Sequence, residues 1–243
     1  MYRALIEQVD LKTGTASLGS DEAHHLNRVR RQKAGDPFLG LDGQGGLYLC
    51  TLRRRGRDWG AEIVERLESE TESPLHIVLA QALVKKDKFE WVIQKATELG
   101  VRRIVPLITE RTEVRPRPAS AQRKMRRWHK ILVDALKQSG RLSLPQLEEP
   151  QDLAQFCAGD QSQARLVLDE EGNLAWSQAL EAFPSPPASC TVYIGPEGGW
   201  DDRDRQVFAS HDLPRIRLGP RTLRTETAPV CALTLLQHAW GDL

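Results

Sequence analysis

The chain has 243 residues, 34 Lys plus Arg against 33 Asp plus Glu, a formal net charge of +1 and 40% hydrophobic residues. That balance excludes wholesale disorder, and no apolar run reaches the roughly 18 residues of a membrane span. The opening MYRALIEQVDLK lacks the apolar stretch and cleavage site of a secretory leader, and Cys50, Cys157, Cys190 and Cys231 form no CxxC pair, so a cytoplasmic protein with reduced thiols and no metal is expected.

Residues 1–70 read as short β elements punctuated by Gly19, Gly35, Gly40, Asp42-Gly43, Gly45-Gly46, Gly56 and Gly60. The runs 46–52 and 59–64 are strands, and one short helix lies around Glu22 to Arg31. This is the texture of a small β-barrel. His24 and His25 would point apart on that helix, and no HExxH spacing exists, so the pair reads as one surface and one packed residue. The acidic stretch 65–73, closed by Pro74, places a boundary between domains 1–72 and 73–243.

From Leu75 the chain alternates strands with helices. Leu75 to Leu83 is nearly continuously apolar, as a buried parallel strand is. Phe89, Val92, Ile93, Ala96 and Leu99 recur at helical spacing, and Gly100 follows at the C′ position. A strand at 103–108 precedes a helix that Ser120 can cap and whose stripe is Met125, Trp128, Leu132, Ala135 and Leu136. Further strands fall at 165–169, 191–195 and 215–218, and further helices at 173–182, 201–210 and 228–240. The alternation predicts α/β architecture with a mainly parallel sheet.

Charge is uneven along this order. Residues 1–70 are neutral, 71–141 carry net +9 and 142–243 carry net −8. Such blocks suit either a basic face for a polyanion or pairing within the molecule. The basic cluster Arg111, Arg115, Arg117, Arg123, Lys124, Arg126, Arg127 and Lys130 spans an expected loop and the helix after it.

Two loops concentrate chemistry. The strand at 191–195 runs into Gly195-Pro196-Glu197-Gly198-Gly199, and ligands of α/β sheets bind beyond such strand ends, where glycines let main chain approach closely. No GxGxxG fingerprint or Walker loop is present. The second loop, Leu218-Gly219-Pro220-Arg221-Thr222-Leu223-Arg224-Thr225-Glu226-Thr227-Ala228-Pro229, leads into the last helix. Thr225 or Thr227 can cap that helix, and Pro229 suits its first turn. Capping leaves Arg221, Arg224 and Glu226 unexplained, and two Gly-Pro loops at two strand ends read as the walls of one pocket.

IGPEGG at 194–199 and LGPRTLRTETA at 218–228 resemble the paired signature loops of the RsmE family, methyltransferases of the SPOUT class. The resemblance extends to KATELGV at 95–101, QSGR at 138–141, and His25, Val29, Arg31, Gly35-Asp36 and Asp42-Gly43 in the first domain. Lys137 stands where the family has Glu, and Asp204 replaces a helix Glu.

The resemblance implies an α/β SPOUT domain with a C-terminal trefoil knot, an N-terminal PUA-like barrel that binds RNA, and a homodimer. It implies methylation of N3 of a uridine in 16S rRNA of the small ribosomal subunit, with S-adenosylmethionine as cofactor. On that basis the cofactor residues are Leu168, Gly195, Pro196, Glu197, Gly198, Gly199, Leu218, Gly219, Leu223, Arg224, Thr225, Thr227 and Ala228. RNA contacts fall on His25, Arg28, Arg31, Arg123, Lys124, Arg126 and Arg127. Deprotonating uracil and carrying the charge that develops on it need an acceptor and a cation, for which Glu197, Glu226, Arg141 and Arg224 are the candidates. Leu233, Leu236 and Trp240 could serve either the dimer contact or the core. A transfer-RNA methyltransferase and an RNA-binding module without catalysis remain alternatives.

Overall fold

The computed structural model describes residues 1–56, 58–85, 87–113 and 118–243, the side chains of 118–120 excepted. Arg115 and Arg117 in the basic cluster therefore lie outside the described residues, whereas Ser120 falls inside the helix Pro118–Ser139, two residues past its start, and so is not its N-cap. Two compact units emerge, one of Met1–Glu72 with Val133–Leu144 and one of Ser73–Leu132 with Pro145–Leu243.

In the first unit, strands β1 (Arg3–Leu5), β2 (Glu7–Asp10), β3 (Thr15–Ser17), β4 (Pro37–Leu41), β5 (Leu47–Arg55) and β6 (Asp58–Leu67) form one sheet in the order β1-β4-β5-β6-β3-β2. Alternation builds its core. Tyr48, Cys50 and Leu52 of β5 turn inward onto Ala4, Ile6, Phe38 and Ala61, while the residues between them stay half-exposed. Gly40 has no alternative there, because a Cβ would stand 2.8 Å from Ile6 Cδ1 and 2.9 Å from Cys50 Sγ.

The expected helix is shorter than its pattern. Helix α1 (Ser20–His24) passes into a π-type turn at His25–Val29. The acidic stretch is also not all linker, since Glu65, Arg66 and Leu67 pair with Leu49, Tyr48 and Leu47. A ladder uses backbone groups, so charged side chains on its exposed face do not end it.

A segment distant in sequence completes this unit. Glu72 accepts hydrogen bonds from Arg141 Nη2 (2.8 Å) and from the backbone N–H of Leu142 (2.8 Å) and Ser143 (3.0 Å). Leu41, Leu136 and Leu142 pack into a small core of their own. Burial alone would raise the Glu72 carboxyl, but these donors and the Arg141 charge hold it below its ordinary value. Lys137 pairs with Glu22 and with Asp134 (3.1 Å).

The second unit contains β7 (His76–Ala82), α2 (Asp87–Glu98), β8 (Arg103–Ile108), the first part of α3 (Pro118–Ser139), β9 (Gln146–Leu147), β10 (Gln151–Asp152), α4 (Leu153–Gly159), β11 (Ala164–Leu168), β12 (Leu174–Ala175), α5 (Trp176–Glu181), β13 (Ser189–Ile194), α6 (Asp202–Ser210), β14 (Arg215–Arg217) and α7 (Thr227–Trp240). The sheet order is β10-β8-β7-β13-β11-β14-β12, with β9 also on β8, and every pair is parallel. Buried on both faces, β7 needs its run of apolar residues. Helix α2 buries Phe89, Val92, Ile93 and Ala96, ends at Glu98 and is followed closely by Gly100, whose φ is +82°.

Two elements depart from expectation. Residues 173–182 split into a two-residue strand on β14 and the short α5, because backbone pairing claims Leu174 and Ala175. Helix α4 is additional, capped by Asp152, which accepts from Ala154 N–H at 2.9 Å.

Candidate functional site

Strands β13, β11 and β14 are neighbours, so their carboxyl ends lie side by side. The chain reaches β13 only after β11, yet β13 lies between β7 and β11, and the next strand, β14, lies on the far side of β11. The strand progression reverses here, where α/β sheets bind ligands. The residues after the three strands converge on a cleft of about 410 Å³.

Of the expected cofactor residues, Leu168, Gly195, Pro196, Glu197, Gly199, Leu218, Gly219, Leu223, Arg224, Thr225 and Ala228 line this cleft, with Ile194 and Ile216 adding apolar surface. Gly198 and Thr227 do not. The Gly198 carbonyl accepts from Arg111 Nη1 at 2.9 Å, and Thr227 is exposed as the first residue of α7.

Side chains fix the walls. Trp200 is buried, donates from Nε1 to the Leu168 carbonyl at 2.7 Å, and lies against Gly195, where a Cβ would stand 3.1 Å from its ring. Thr225 Oγ1 donates to the Gly195 carbonyl at 2.7 Å and ties the two signature loops together. Neither threonine caps α7. Its N-cap is Glu226, without a side-chain cap bond, because Thr225 is committed to Gly195. Gly219 has φ +146°, and a Cβ there would meet nothing within 4 Å, so conformation and not crowding requires glycine.

Among the described residues three carboxylates, Asp169, Glu170 and Glu197, line the cleft, and Glu226 is joined to it through Lys88. Asp169 is 4% exposed and accepts from Arg205 Nε (3.1 Å) and Arg215 Nη1 (3.0 Å). Burial would raise it, but hydrogen bonds from Arg205, the Glu171 N–H and Arg215, with the Arg205 charge, hold it low. Glu170 accepts from Thr222 Oγ1 at 3.1 Å and so links the β11 end to the second signature loop. Glu197 and Glu226, one from each loop, both pair with Lys88, at 3.5 and 3.3 Å.

The sequence does not mark Lys88, which sits more than a hundred residues before its partners Glu197 and Glu226. No local signal marks it, because Asp87 and Glu90 in the same first turn of α2 already suit the helix dipole.

The four catalytic candidates separate. Glu197, Glu226 and Arg224 meet at or beside the cleft, and Arg224 is exposed with no ion pair shown among the described residues. Arg141 is 4% exposed, belongs to the first unit and is engaged by Glu72, so it is not in the cleft lining.

The expected RNA residues are also unequal. The His25 ring stacks on Tyr2 at 5.4 Å and is half-buried, whereas Arg28 and Arg31 are exposed. On α3, Arg123 and Arg126 are exposed, Lys124 is half-buried, and Arg127 pairs with Glu90 at 2.6 Å. Leu233 and Leu236 are fully buried within this one chain, and Trp240 meets Phe183 edge-on at 5.2 Å. The two leucines are core, so no contact between copies can use them. Among the described residues no helix is long and apolar enough to cross a membrane, and no three His, Cys, Asp or Glu side chains cluster as metal ligands.

Comparison with known proteins bears on what such a cleft serves. A family described as RNA methyltransferase domain matches residues 71–237, and one described as RNA methyltransferase PUA domain matches residues 18–64. The chain is 34% identical to ribosomal RNA small subunit methyltransferase E of Synechocystis sp. over 96% of its own length and 76% of the relative's. It is 30% identical to the protein of that name from Bacillus subtilis, over 92% and 90%. Among solved structures, a Legionella pneumophila methyltransferase in complex with SAM matches with TM-score 0.92 at 34% identity, covering 100% of this chain and 99% of that one. Ribosomal RNA small subunit methyltransferase E from Neisseria gonorrhoeae, bound to S-adenosyl methionine, matches with TM-score 0.89 at 29% identity over 100% and 99%.

Proposed function

This chain belongs to the ribosomal RNA small subunit methyltransferase E (RsmE) family, and on that premise we propose that it methylates N3 of a specific uridine in 16S rRNA, using S-adenosylmethionine. The observation that carries the reading is the convergence of three strand ends on a glycine-walled cleft with Arg224 on its rim. The cleft fits the cofactor. Leu168, Ile194, Ile216 and Leu223 offer apolar surface for a purine, and the Gly195 and Gly219 loops offer main-chain donors and acceptors. The order β7-β13-β11-β14 supports a knotted C-terminal region. A homodimer and a cytoplasmic location complete the proposal, the dimer contact lying outside Leu233 and Leu236.

S-adenosylmethionine, when bound, supplies a methyl group already activated by its sulfonium. The chain has two remaining tasks. It must take the proton from uracil N3, because neutral uracil is a poor nucleophile, and it must stabilise negative charge growing on the ring oxygens. Arg224 serves the second task. Glu226 or Glu197 serves the first, and Lys88 is a positioning residue that holds both carboxylates at the mouth of the cleft.

The test is methyl transfer from labelled S-adenosylmethionine to small subunits from a strain lacking the modification, with transfer RNA in parallel and the modified nucleoside identified by mass spectrometry. N3-methyluridine in 16S rRNA is the expected product. Label in transfer RNA alone, or on another atom, would overturn the assignment.

A further inference from the structure

The first unit carries a second cavity, of about 600 Å³, unrelated to the cleft just described. Its lining includes His24, Asn27 and Arg28 from the α1 region and Arg54, Asp58 and Trp59 from the β5–β6 hairpin. The combination is specific in kind. Trp59 is half-exposed, with the Arg54 guanidinium 5.9 Å from its ring centroid. Arg54 is held there by a hydrogen bond from Nε to the Gly56 carbonyl at 3.2 Å. Asn27 donates to the Gln32 carbonyl at 3.2 Å, which fixes its amide, and His24 is exposed.

Two basic sequence runs bracket this cavity: Arg28 to Lys33, with four cations, and Arg53 to Arg55, with three. Arg53 is drawn off by Glu62 at 3.4 Å and Arg30 lies over the Tyr2 ring at 4.5 Å. Arg28 and Arg31 are exposed with no ion pair shown among the described residues. Asp58 is the one carboxylate among the described residues of the lining. A half-exposed indole beside fixed hydrogen-bonding groups and unneutralised arginines is more than a solvated basic face needs.

We propose that this cavity receives one unstacked base of a single-stranded RNA segment. The base stacks on Trp59 beside Arg54, His24 and Asn27 meet its polar edge, and Arg28 takes an adjoining phosphate. Single-stranded RNA is recognised by splaying bases onto aromatic and guanidinium planes, whereas the bases of a duplex remain stacked inside it. The volume lies within the range of small-ligand sites. The inference rests on the reading that the substrate is RNA, and it adds a base subsite on the barrel, separate from the methylation cleft.

The test uses the full chain and three probes of equal length at one salt concentration: single-stranded oligouridine, a duplex, and an abasic ribose-phosphate strand. Trp59→Leu should weaken oligouridine binding roughly 5- to 150-fold, the usual range for loss of a base–aromatic stack. Binding of the abasic strand should stay within two-fold, and Trp59→Phe should restore most of the loss. Arg28→Ala should weaken all three probes and flatten their salt dependence.

Trp59 also packs against the barrel core, so Trp59→Leu could unfold it. In that event, photocrosslinking of 5-iodouridine RNA to the parent protein decides, with Trp59 or His24 as the expected attachment. Oligouridine affinity unchanged in a folded Trp59→Leu, an equal loss for the abasic strand, or crosslinks confined to other surfaces would overturn the subsite. Methylation and S-adenosylmethionine affinity are measured on the same variants. An indifferent Trp59 with intact N3 methylation overturns only the subsite, and Trp59-dependent RNA binding without N3 methylation overturns only the proposed function.

Discussion

The clasp around Arg141 and the cleft wall that carries Arg224 contrast sharply, although both arginines sit in segments of equally recognisable sequence. Arg141 is buried, and Glu72 binds its guanidinium and the two N–H groups that follow it. Arg224 is exposed at the rim of a cleft and has no ion pair shown among the described residues. A motif arginine is constrained in either case. Whether it serves the fold or the reaction is decided by whether the chain itself supplies its anion.

That contrast can be broken. Its largest effect is expected at the clasp, where Arg141→Ala would remove the buried guanidinium that the half-buried Glu72 carboxylate binds. Removing one partner of a buried pair costs about 3–5 kcal/mol. At roughly 2–4 °C per kcal/mol for a chain of this size, melting should fall by about 6–20 °C. The double change Arg141→Met with Glu72→Gln should recover much of this, because a neutral amide still accepts from Leu142 and Ser143. A normal melting temperature with turnover abolished would return Arg141 to the reaction.

The next effect belongs to the other arginine. Arg224→Ala should lower single-turnover methylation by about 10² to 10³ while S-adenosylmethionine affinity stays within a few-fold. Arg224→Lys should rescue part of the rate, because an ammonium lacks the planar fork of donors. Loss of cofactor affinity or melting temperature in step with rate would make Arg224 a brace like Arg141.

A smaller effect sharpens the picture of the cleft wall. Gly219→Ala forces a side chain onto a backbone with φ +146°, a strain of about 1–3 kcal/mol. It should weaken S-adenosylmethionine binding by roughly 5- to 150-fold. Gly198→Ala has an ordinary φ, and its nearest neighbour is Arg111 at 3.6 Å, so it should bind within two-fold of the parent. Equal behaviour of the two variants in calorimetry would sink the conformational argument.

Much of the site was legible because it lies at strand ends that periodicity reveals, and because its glycines are a local signal. Ile194 to Gly199 and Leu218 to Ala228 are contiguous, so ten of the eleven expected residues that line the cleft lie in the two short runs that carry the family resemblance. Lys88 and the Glu72–Arg141 clasp depend on partners about 70 to 140 residues apart, and charge at a distance has no period to read. The exchange of Thr225 from cap to loop tie was hidden for the same reason. The barrel cavity escaped because residues 1–70 are neutral in total and its lining comes from two segments far apart in sequence, His24, Asn27 and Arg28 from one and Arg54, Asp58 and Trp59 from the other.

The smallest effect appears only in acid, and it compares the two regions through one carboxyl in each. Glu72 in the clasp and Asp169 beside the cleft are both held below their ordinary values, so each folded form binds its proton less readily than the unfolded chain does. Their contribution to stability is complete above the ordinary carboxyl range of about 4 and is lost as pH falls through the depressed values. Melting temperature should therefore decline below about pH 4, and either Glu72→Gln or Asp169→Asn should flatten the decline while lowering the plateau at neutral pH. Cofactor affinity should separate them. Protonating Asp169, which lines the cleft, weakens its pairs with Arg205 and Arg215, whereas protonating Glu72 loosens a clasp that contributes nothing to that lining. An acid limb in S-adenosylmethionine binding should then vanish in Asp169→Asn and persist in Glu72→Gln. A limb that persists in both would remove Asp169 as its cause, and one that vanishes in both would mean that the clasp and the cleft respond to acid as one site, with the distinction between the two arginines failing with it.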